Sequence, residues 1–371
     1  MLSCFLELLQ SVRILGFLSR FITAPILESP VQKPSEVKWQ VITAWNAIPG
    51  KVVVQLKHSK EHWNEIMQKG MGDWHKRAEM FGVVVVGIGV AGRVRIRDLL
   101  NPLPNSAAEK LKLMGFVSRR TLGNIEQVKQ ITLEEALQSS EIQAAIISLE
   151  NRFHEEYVRL FLEAGKHVCV EYPLALSVAA AQKLWDLADI KGKILHVEHI
   201  ELLAEPYKQL KQQVNRKELI EGSLHFTGGP LDRQRTGFPA FSGIARLSWL
   251  VDLFGELTLK SATLEEQQKQ HYWKMTTRFL TKNSRPLIWT EERGPELKRK
   301  KQINFQFKSD TLDHLPEAPN TRVGLFMQDL NLFAQKLAGQ TPTELSEKNR
   351  LLHCLDLADE IRIFCEQVPP S

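Results

Sequence analysis

The chain has 371 residues, of which 43% are hydrophobic and 25% charged, and its formal net charge is +5. This length fits two globular domains rather than one, and the basic residues are spread out apart from the run Lys298–Lys301. Such a distribution favours a solvated surface or an anionic small molecule and predicts no nucleic-acid partner. The four cysteines show no CxxC spacing, so we expect a reducing compartment and no disulfide framework.

The first 79 residues predict an extension rather than a domain. Leu2–Leu27 is apolar, but Glu7, Arg13 and Arg20 interrupt it, so it lacks the ~20 apolar residues that a transmembrane helix needs. We expect a cytoplasmic protein, or a mitochondrial one if the two arginines mark a transit segment. Because no strand–helix unit precedes Met80, residues 1–79 are expected to be poorly ordered and dispensable.

From Phe81 onward, short β-branched runs alternate with segments of helical periodicity. This alternation predicts an α/β Rossmann domain with a doubly wound parallel sheet over residues 80–200. The predicted strands are Gly82–Val86, Lys112–Val117, Ala144–Ser148, His167–Val170 and Ile194–Val197. The predicted helices are Ala91–Leu100, Leu133–Ser139, His154–Glu163 and Ser177–Lys191.

After Ile200 the pattern changes to strands without intervening helices, which predicts an α+β domain with a mainly antiparallel sheet over residues 201–371. The expected strands are Gly222–Thr227, Leu259–Glu265, Tyr272–Leu280, Leu287–Thr290 and Gln302–Phe307. Helices are expected at Pro206–Lys217 and Arg246–Phe254, and the C-terminal helices Leu325–Leu337 and Glu344–Cys365 are expected to pack back on the first domain.

A G-x-G-x-x-G motif follows the buried run Val83–Val86 and opens the first helix. Gly87 permits a tight turn, Gly89 lets the backbone approach a pyrophosphate, and Gly92 allows close helix–strand packing. The helix N-terminus then offers backbone N–H groups to the phosphates. The sequence therefore predicts a dinucleotide site formed by Gly87, Gly89, Val90, Ala91 and Gly92.

The second strand ends in Ser118-Arg119-Arg120, where NAD-specific proteins place an Asp or Glu for the ribose hydroxyl. Two guanidinium groups and a hydroxyl suit the 2′-phosphate of NADPH, because arginine pairs with phosphate through two parallel hydrogen bonds. We therefore expect NADPH as the cofactor, with NADH also accepted. The alternative is a pair of solvated arginines without a ligand.

Four segments carry a resemblance to a known family: Phe81–Gly92, Gly115–Arg120, Glu171–Pro173 and Gly229–Leu253. They resemble the biliverdin reductases of the glucose-fructose oxidoreductase/inositol dehydrogenase superfamily. The resemblance implies reduction of the linear tetrapyrrole biliverdin to bilirubin by hydride transfer to its central methine carbon. Val90 stands where the family often has an arginine, which puts the strength of cofactor binding in doubt.

Two departures from the superfamily pattern both argue against oxidation of a polyol. Tyr172 replaces the lysine of the E-K-P segment, and Phe241–Gly255 lacks the usual histidine, so the groups for polyol oxidation are missing. The alternatives are still a sugar or inositol dehydrogenase of this superfamily and a non-catalytic NADP-binding regulator.

Several residues are candidates for the chemistry of the site. Tyr172 is expected to position nicotinamide or substrate, because it follows a strand at the carboxyl edge of the sheet. Glu198 and Glu201 are candidates for accepting pyrrole N–H groups or guiding protons. The alternative for Tyr172 is a role in packing alone. The alternative for Glu198 and Glu201 is an acidic loop that binds no ligand. By resemblance, the cofactor also contacts Asn151, Arg152, Phe153 and His154, although His154 is equally expected to cap the next helix.

Arg235 and Arg246 flank a loop rich in glycine and aromatic residues that includes Phe241, and such a loop suits a flat apolar ligand. We expect Phe241 to contact the tetrapyrrole and one of the two arginines, preferably Arg246, to bind a propionate. Surface ion pairing is the alternative for both.

The family resemblance also implies a zinc site at His353, Cys354 and Cys365. A continuous helix would separate the two thiols by roughly 16 Å, far beyond Zn–S bonds of about 2.3 Å. Zinc is therefore doubtful from the sequence alone. We further expect a monomer that takes a small-molecule substrate.

Overall fold

The computed structural model describes residues 80–317, 322–342 and 344–367. The chain divides into two units, Met1–Ala78 and Glu79–Ser371, and every element below belongs to the second. The predictions for residues 1–79 lie outside the described residues.

Five parallel strands form the first sheet, in the order β2-β1-β3-β4-β5. Val83–Val86 is buried because β1 lies between β2 and β3, with Val86 paired to both Val117 and Ile147. The strand order reverses at β1, so the carboxyl ends of β1 and β3 open the crevice in which this fold binds ligands. The strands are β1 (Phe81–Val86), β2 (Leu111–Val117), β3 (Ala144–Ile147), β4 (His167–Val170) and β5 (Leu195–Val197).

Helices connect these strands, and two of them begin at residues whose side chains accept hydrogen bonds from free N–H groups of the first turn. Thr132 and Glu135 form a reciprocal capping box at the start of α2, and the Ser177 hydroxyl caps α4. Gly192 ends α4 with a left-handed φ of 60°. The helices are α1 (Val90–Leu100), α2 (Leu133–Gln138), α3 (His154–Glu163) and α4 (Val178–Lys191), within one residue of prediction at each end.

The second sheet has six strands in the order β11-β10-β6-β9-β8-β7. It is mostly antiparallel, as expected, but β6 and β9 are parallel, and the short β11 was not predicted. The strands are β6 (Leu219–Gly228), β7 (Leu257–Gln267), β8 (Tyr272–Thr281), β9 (Pro286–Arg293), β10 (Lys300–Phe307) and β11 (Thr311–Leu312).

The remaining helices follow β5, lie between β6 and β7, or follow β11. α9 is buried along most of its length, whereas α10 and α11 return to the Rossmann elements. The Ala108 amide donates to Asn331 of α10 at 3.3 Å, and the Val178 amide donates to Asp359 of α11 at 2.8 Å. These helices are α5 (Ile200–Leu203), α6 (Glu205–Val214), α7 (Arg233–Thr236), α8 (Pro239–Ser242), α9 (Ile244–Phe254), α10 (Leu325–Leu337) and α11 (Leu345–Gln367).

Candidate active site

The glycine turn after β1 leaves an open space in front of α1. Gly87 has φ +95°, a conformation that side chains disfavour, and a Cβ on Gly92 would lie 1.9 Å from the Gly87 carbonyl oxygen. A Cβ on Gly89 would instead have no atom within 4 Å among the described residues. Gly89 is the N-cap of α1 and no side chain in the described part of the chain caps that helix end, so its first N–H groups face a site that fits a phosphate.

The arginines after β2 lie beside this turn. The Arg119 guanidinium lies over the Phe153 ring, 4.3 Å from its centroid, and the Arg120 Nη2 donates to the Ile88 carbonyl oxygen at 3.3 Å. The Ser118 hydroxyl accepts a hydrogen bond from the Arg120 amide at 3.1 Å. The structure thus brings the predicted 2′-phosphate residues, the glycine turn and Phe153 together.

Glu150, in the loop after β3, joins several of the predicted residues. Its carboxylate accepts hydrogen bonds from Arg152 at 3.2 Å and from Arg235 at 3.1 Å. The Asn151 amide nitrogen donates to the Thr236 carbonyl at 3.0 Å, so the α7 segment contacts the cofactor loop. Arg235, expected as a propionate ligand, is therefore ion-paired beside the cofactor loop, as the alternative of surface pairing supposed.

His154 does not reach the surface of this loop. It is fully buried, and its ring nitrogens lie 2.7 Å from the Pro173 carbonyl oxygen and 3.0 Å from that of Leu149. Burial lowers the pKa of His154. The residue ties the loop after β3 to the segment after β4, so the expectation of a cofactor contact is corrected to a role in the loop's packing.

A buried charged network, which the sequence did not predict, lies behind the site. Arg95 of α1 is completely buried and donates to Glu171 at 3.0 Å and to Asp329 of α10 at 2.7 Å. Arg95 follows Gly92 by three residues, and this helical spacing places both on the face of α1 that packs inward. That spacing was the one sequence signal for a buried Arg95.

Asp329 also binds His196, whose Nε2 lies 2.9 Å from its carboxylate, and Lys336 lies 3.1 Å from the other ring nitrogen. Burial disfavours the charged carboxylate, but Arg95 and then His196 outweigh it and lower the pKa of Asp329. The network thus holds Asp329 as an anion between cationic or hydrogen-bonding groups.

One cluster of metal-ligating side chains lies inside the buried charged network. In the described part of the chain, atoms of Cys169, His196 and Asp329 lie within 4.8 Å of one another, but Arg95 already binds Asp329 and a second cation there is disfavoured.

The zinc site implied by resemblance does not fit the structure. All three of its residues lie on the continuous helix α11, where the His353 Nε2 accepts the Leu257 amide at 3.0 Å. Cys354 is buried, and eleven further helical residues place Cys365 roughly 16 Å along the axis. The described residues therefore do not bring His353, Cys354 and Cys365 together.

Glu198 and Tyr172 lie at the carboxyl edge of the first sheet. Burial, reinforced by Glu171 and Asp329, raises the pKa of Glu198 to about 8, and its carboxyl group accepts the Ile200 amide at 2.9 Å. Burial also raises the pKa of Tyr172 well above its ordinary value, and its hydroxyl is buried beside Cys354 and Ser248. Both groups are thus uncharged near neutral pH.

His199 packs beside Tyr172, with the two ring centroids 4.3 Å apart and the ring planes tilted by 60°. Both of its ring nitrogens are buried without a hydrogen-bond partner in the described residues, and burial lowers the pKa of His199 to about 3. The imidazole is therefore neutral, and the pair carries no charge near neutral pH.

Arg246 is held within the second domain rather than projecting from it. It donates two hydrogen bonds to Glu291 of β9, and Arg293 binds the same carboxylate at 2.8 Å. Both guanidinium groups lie over the Phe226 ring, at 4.4 and 4.6 Å from its centroid. Phe241, expected to contact the substrate, is 1% exposed and packs in the core instead.

Glu201 accepts hydrogen bonds from Arg299 at 3.3 Å and from Lys301. We call Arg246, Arg293, Arg299 and Lys301, with Glu201 and Glu291, the cationic patch. Four cations share two carboxylates, so the patch keeps an excess of two positive charges. The sequence revealed the basic run, but it did not reveal that Lys301 is only 17% exposed and is paired with Glu201.

Two family models match separate parts of the chain. The oxidoreductase family with an NAD-binding Rossmann fold matches residues 81–199, and the biliverdin reductase catalytic domain matches residues 207–319. Biliverdin reductase A of Homo sapiens is 56% identical over 287 residues, which are 77% of this chain and 96% of the human protein. The chain belongs to the biliverdin reductase family. Biliverdin reductase A of Mus musculus is 53% identical over 77% of this chain and 97% of its own length.

Solved structures agree with this family assignment. The biliverdin reductase of Synechocystis sp. PCC 6803, in complex with biliverdin and NADP+, has a TM-score of 0.62 and 25% identity, covering 77% of this chain and 99% of its own. A scyllo-inositol dehydrogenase from Lactobacillus casei shares only the fold, with a TM-score of 0.63, 13% identity and coverage of 78% and 97% of the two chains. None of the helices in the described ranges is long and apolar enough to cross a membrane.

Proposed function

We propose that this chain reduces biliverdin to bilirubin with NADPH, by hydride transfer to the central methine carbon. The observation that carries the proposal is a match to biliverdin reductases that runs through both the Rossmann domain and the catalytic domain. The site supports it, because it combines a phosphate-binding turn with a cationic patch and lacks the lysine of polyol oxidation.

The test is an absorbance assay of the purified chain with biliverdin and NADPH. We expect NADPH to be consumed as bilirubin forms, and no reduction of NADP+ with inositol or glucose. Polyol oxidation without biliverdin reduction would favour a sugar dehydrogenase. NADPH binding without turnover of either substrate would favour a regulator.

The cofactor site extends from the glycine turn to the arginines after β2. NADPH would place its pyrophosphate at the start of α1 and its 2′-phosphate between Arg119 and Arg120. A cavity of about 650 Å³, lined in part by Ser118, Thr132 and Tyr157, lies beside these arginines and suits the adenosine end. NADH lacks the 2′-phosphate and is expected to bind more weakly through the same turn.

The substrate is proposed to lie against the cationic patch. Biliverdin carries two propionates, and the excess of two positive charges on the patch matches them. Arg246 and Arg293 are largely buried against Glu291, whereas the Arg299 side chain is 74% exposed, so Arg299 is the preferred propionate ligand, with Lys301 beside it on Glu201. Arg246 then supports the patch by holding Glu291 and Phe226 in place.

The reduction requires a hydride and a proton. Bound NADPH supplies the hydride, and we propose that Glu198 supplies the proton to a pyrrole nitrogen and regains one from solvent. Its raised pKa keeps the carboxyl group protonated at neutral pH, and a group with a pKa near the working pH is an effective proton donor. Tyr172, with a pKa far above neutral, positions the reactants as an uncharged wall.

Four sequence-based predictions, on oligomeric state, location, domain boundary and the first 79 residues, complete the proposal. We propose a monomer in the cytoplasm, with mitochondria as the alternative location. We also propose a domain boundary near residue 200, with the NADP-binding domain over 80–200 and the substrate domain over 201–371, although α10 and α11 contact elements of the first. Residues 1–79 are proposed to be dispensable for catalysis.

A further inference from the structure

A second basic site lies at the end of the second sheet where β6 begins. It is a groove of about 710 Å³ between the end of α6, the end of α9 and the turn that joins β8 to β9. We call this the basal groove. Its basic lining residues are Lys208, Lys211, Arg216, Lys217, Lys282 and Arg285.

Among the described residues, two carboxylates line the basal groove, and each binds two cations. Glu218 binds Arg285 at 2.8 Å and Lys308 at 2.7 Å. Asp252 binds Lys211 at 2.7 Å and Arg350 at 2.9 Å. The acidic groups therefore leave no negative charge for the rest of the lining.

Three of the other four cations of the basal groove are not compensated. Lys217 pairs with Asp310, but the side chains of Lys208, Arg216 and Lys282 have no ion-pair or hydrogen-bond partner among the described residues. The Arg285 Nε is buried and also lacks a partner there. A concave surface with several unpaired cations attracts a multiply charged anion, because converging like charges repel one another until an anion neutralises them.

The groove also has an apolar wall, formed by the buried Val214 and Leu219 with the half-buried Leu253 and Phe254. A wall of this kind contacts the organic part of a ligand, whereas the cations hold its charged part. We propose that the basal groove binds an organic anion that carries clustered phosphates.

This site is separate from the one proposed for biliverdin. Leu219 begins β6 in the groove, and Gly228 ends the same strand next to Arg293 of the cationic patch. Nine residues of extended chain separate them by about 30 Å. Binding in the basal groove therefore does not rest on the proposed reaction and leaves the active site free.

The experiment is isothermal titration of the full chain with ATP and with inorganic tripolyphosphate, under saturating NADP+ so that the cofactor site is blocked. The test variant is K208A/R216A/K282A. The control is K112A/K183A/K191A, which removes three exposed lysines from the first domain. We expect the test variant to weaken binding by about 10- to 100-fold and the control to bind as wild type.

Unchanged NADPH turnover with biliverdin will show that the test variant is folded. Vesicles of phosphatidylcholine with 5% phosphatidylinositol bisphosphate distinguish the source of the phosphates: binding to vesicles alone, lost in the test variant, would assign a lipid headgroup. Equal weakening in both variants, or no binding of any probe to wild type, would overturn the proposal. A test variant that binds ATP and tripolyphosphate as well as wild type does would also overturn the proposal, because the three replaced cations would then have no part in binding the anion.

Discussion

Arg246 donates to Glu291 through Nε at 3.1 Å and through Nη2 at 2.7 Å, and both side chains are nearly excluded from solvent. Arg246→Ala leaves Glu291 with Arg293 as its remaining cationic partner. We expect a loss of about 3 kcal/mol in the free energy of unfolding, because a buried carboxylate loses part of its compensation. Urea denaturation without substrate measures it.

Arg235→Ala is the matched control, because Arg235 is 59% exposed and pairs with Glu150 at the surface. We expect a change of at most about 1 kcal/mol. Unchanged stability of Arg246→Ala, together with a loss of activity that disappears for biliverdin dimethyl ester, would instead make Arg246 a propionate ligand.

The cationic patch predicts a dependence on the substrate's carboxylates. Arg299→Ala/Lys301→Ala should lower kcat/KM for biliverdin by about 10- to 100-fold, and by less for the dimethyl ester, which has no carboxylate to pair. Lys298→Ala/Lys300→Ala is the control, since Lys300 faces away from Lys301 along β10. An equal loss with the acid and the ester would argue against this patch as the propionate site.

Glu198 predicts a pH dependence of stability with a definite sign. Its pKa is about 8 in the folded chain, against about 4.3 for an unfolded glutamate, so the folded chain keeps a proton that the unfolded chain has released. Stability from this group falls as the pH rises between those values and is lost above about pH 8. Thermal melting should show a flatter pH dependence for Glu198→Gln than for wild type over this interval.

The same substitution tests the proton donor. Glu198→Gln should lower kcat, whereas wild-type kcat should fall above about pH 8 as the carboxyl group loses its proton. Glu155→Gln, on the exposed face of α3, should leave both profiles unchanged. A Glu198→Gln variant with wild-type kcat would remove Glu198 from the proton path.

Arg119 and Arg120 predict a preference for NADPH. Their double replacement by alanine should raise the KM for NADPH by about 10- to 100-fold and that for NADH far less, because only NADPH carries the 2′-phosphate. Arg159→Ala, which breaks only the exposed pair with Glu163, is the control. Equal effects on both cofactors would contradict the assignment.

The glycine turn predicts two different outcomes for similar substitutions. Gly92→Ala should destabilise the fold by about 1–3 kcal/mol, because the added Cβ meets the Gly87 carbonyl. Gly89→Ala should keep its melting temperature yet raise the KM for NADPH, because its Cβ occupies the space proposed for the pyrophosphate. Similar loss of stability in both variants would show that this space belongs to the fold.

Local sequence patterns were sufficient to predict the helices and strands of the first domain and the glycine turn of the cofactor site. The run Val83–Val86 with its glycines, and the arginines after β2, depend on neighbours within a few residues, so their arrangement follows from spacing. The carboxylate partners of Arg95, Arg246 and Lys301 could not be predicted from local spacing. Each is a buried or half-buried charge whose compensating carboxylate comes from a distant element, which no local periodicity reveals.

The bond between Arg95 and Asp329 joins residues 234 positions apart. During synthesis at ~5–20 residues per second, the first helix of the Rossmann domain waits roughly 10–50 s before its carboxylate partner is made. Until then the Arg95 guanidinium has Glu171 as a carboxylate partner but lacks Asp329, so the nascent nucleotide domain cannot reach its final packing by itself. Translation order thus makes α10 the element that completes the Rossmann domain, and a chain truncated before α10 should accumulate as a partly folded intermediate.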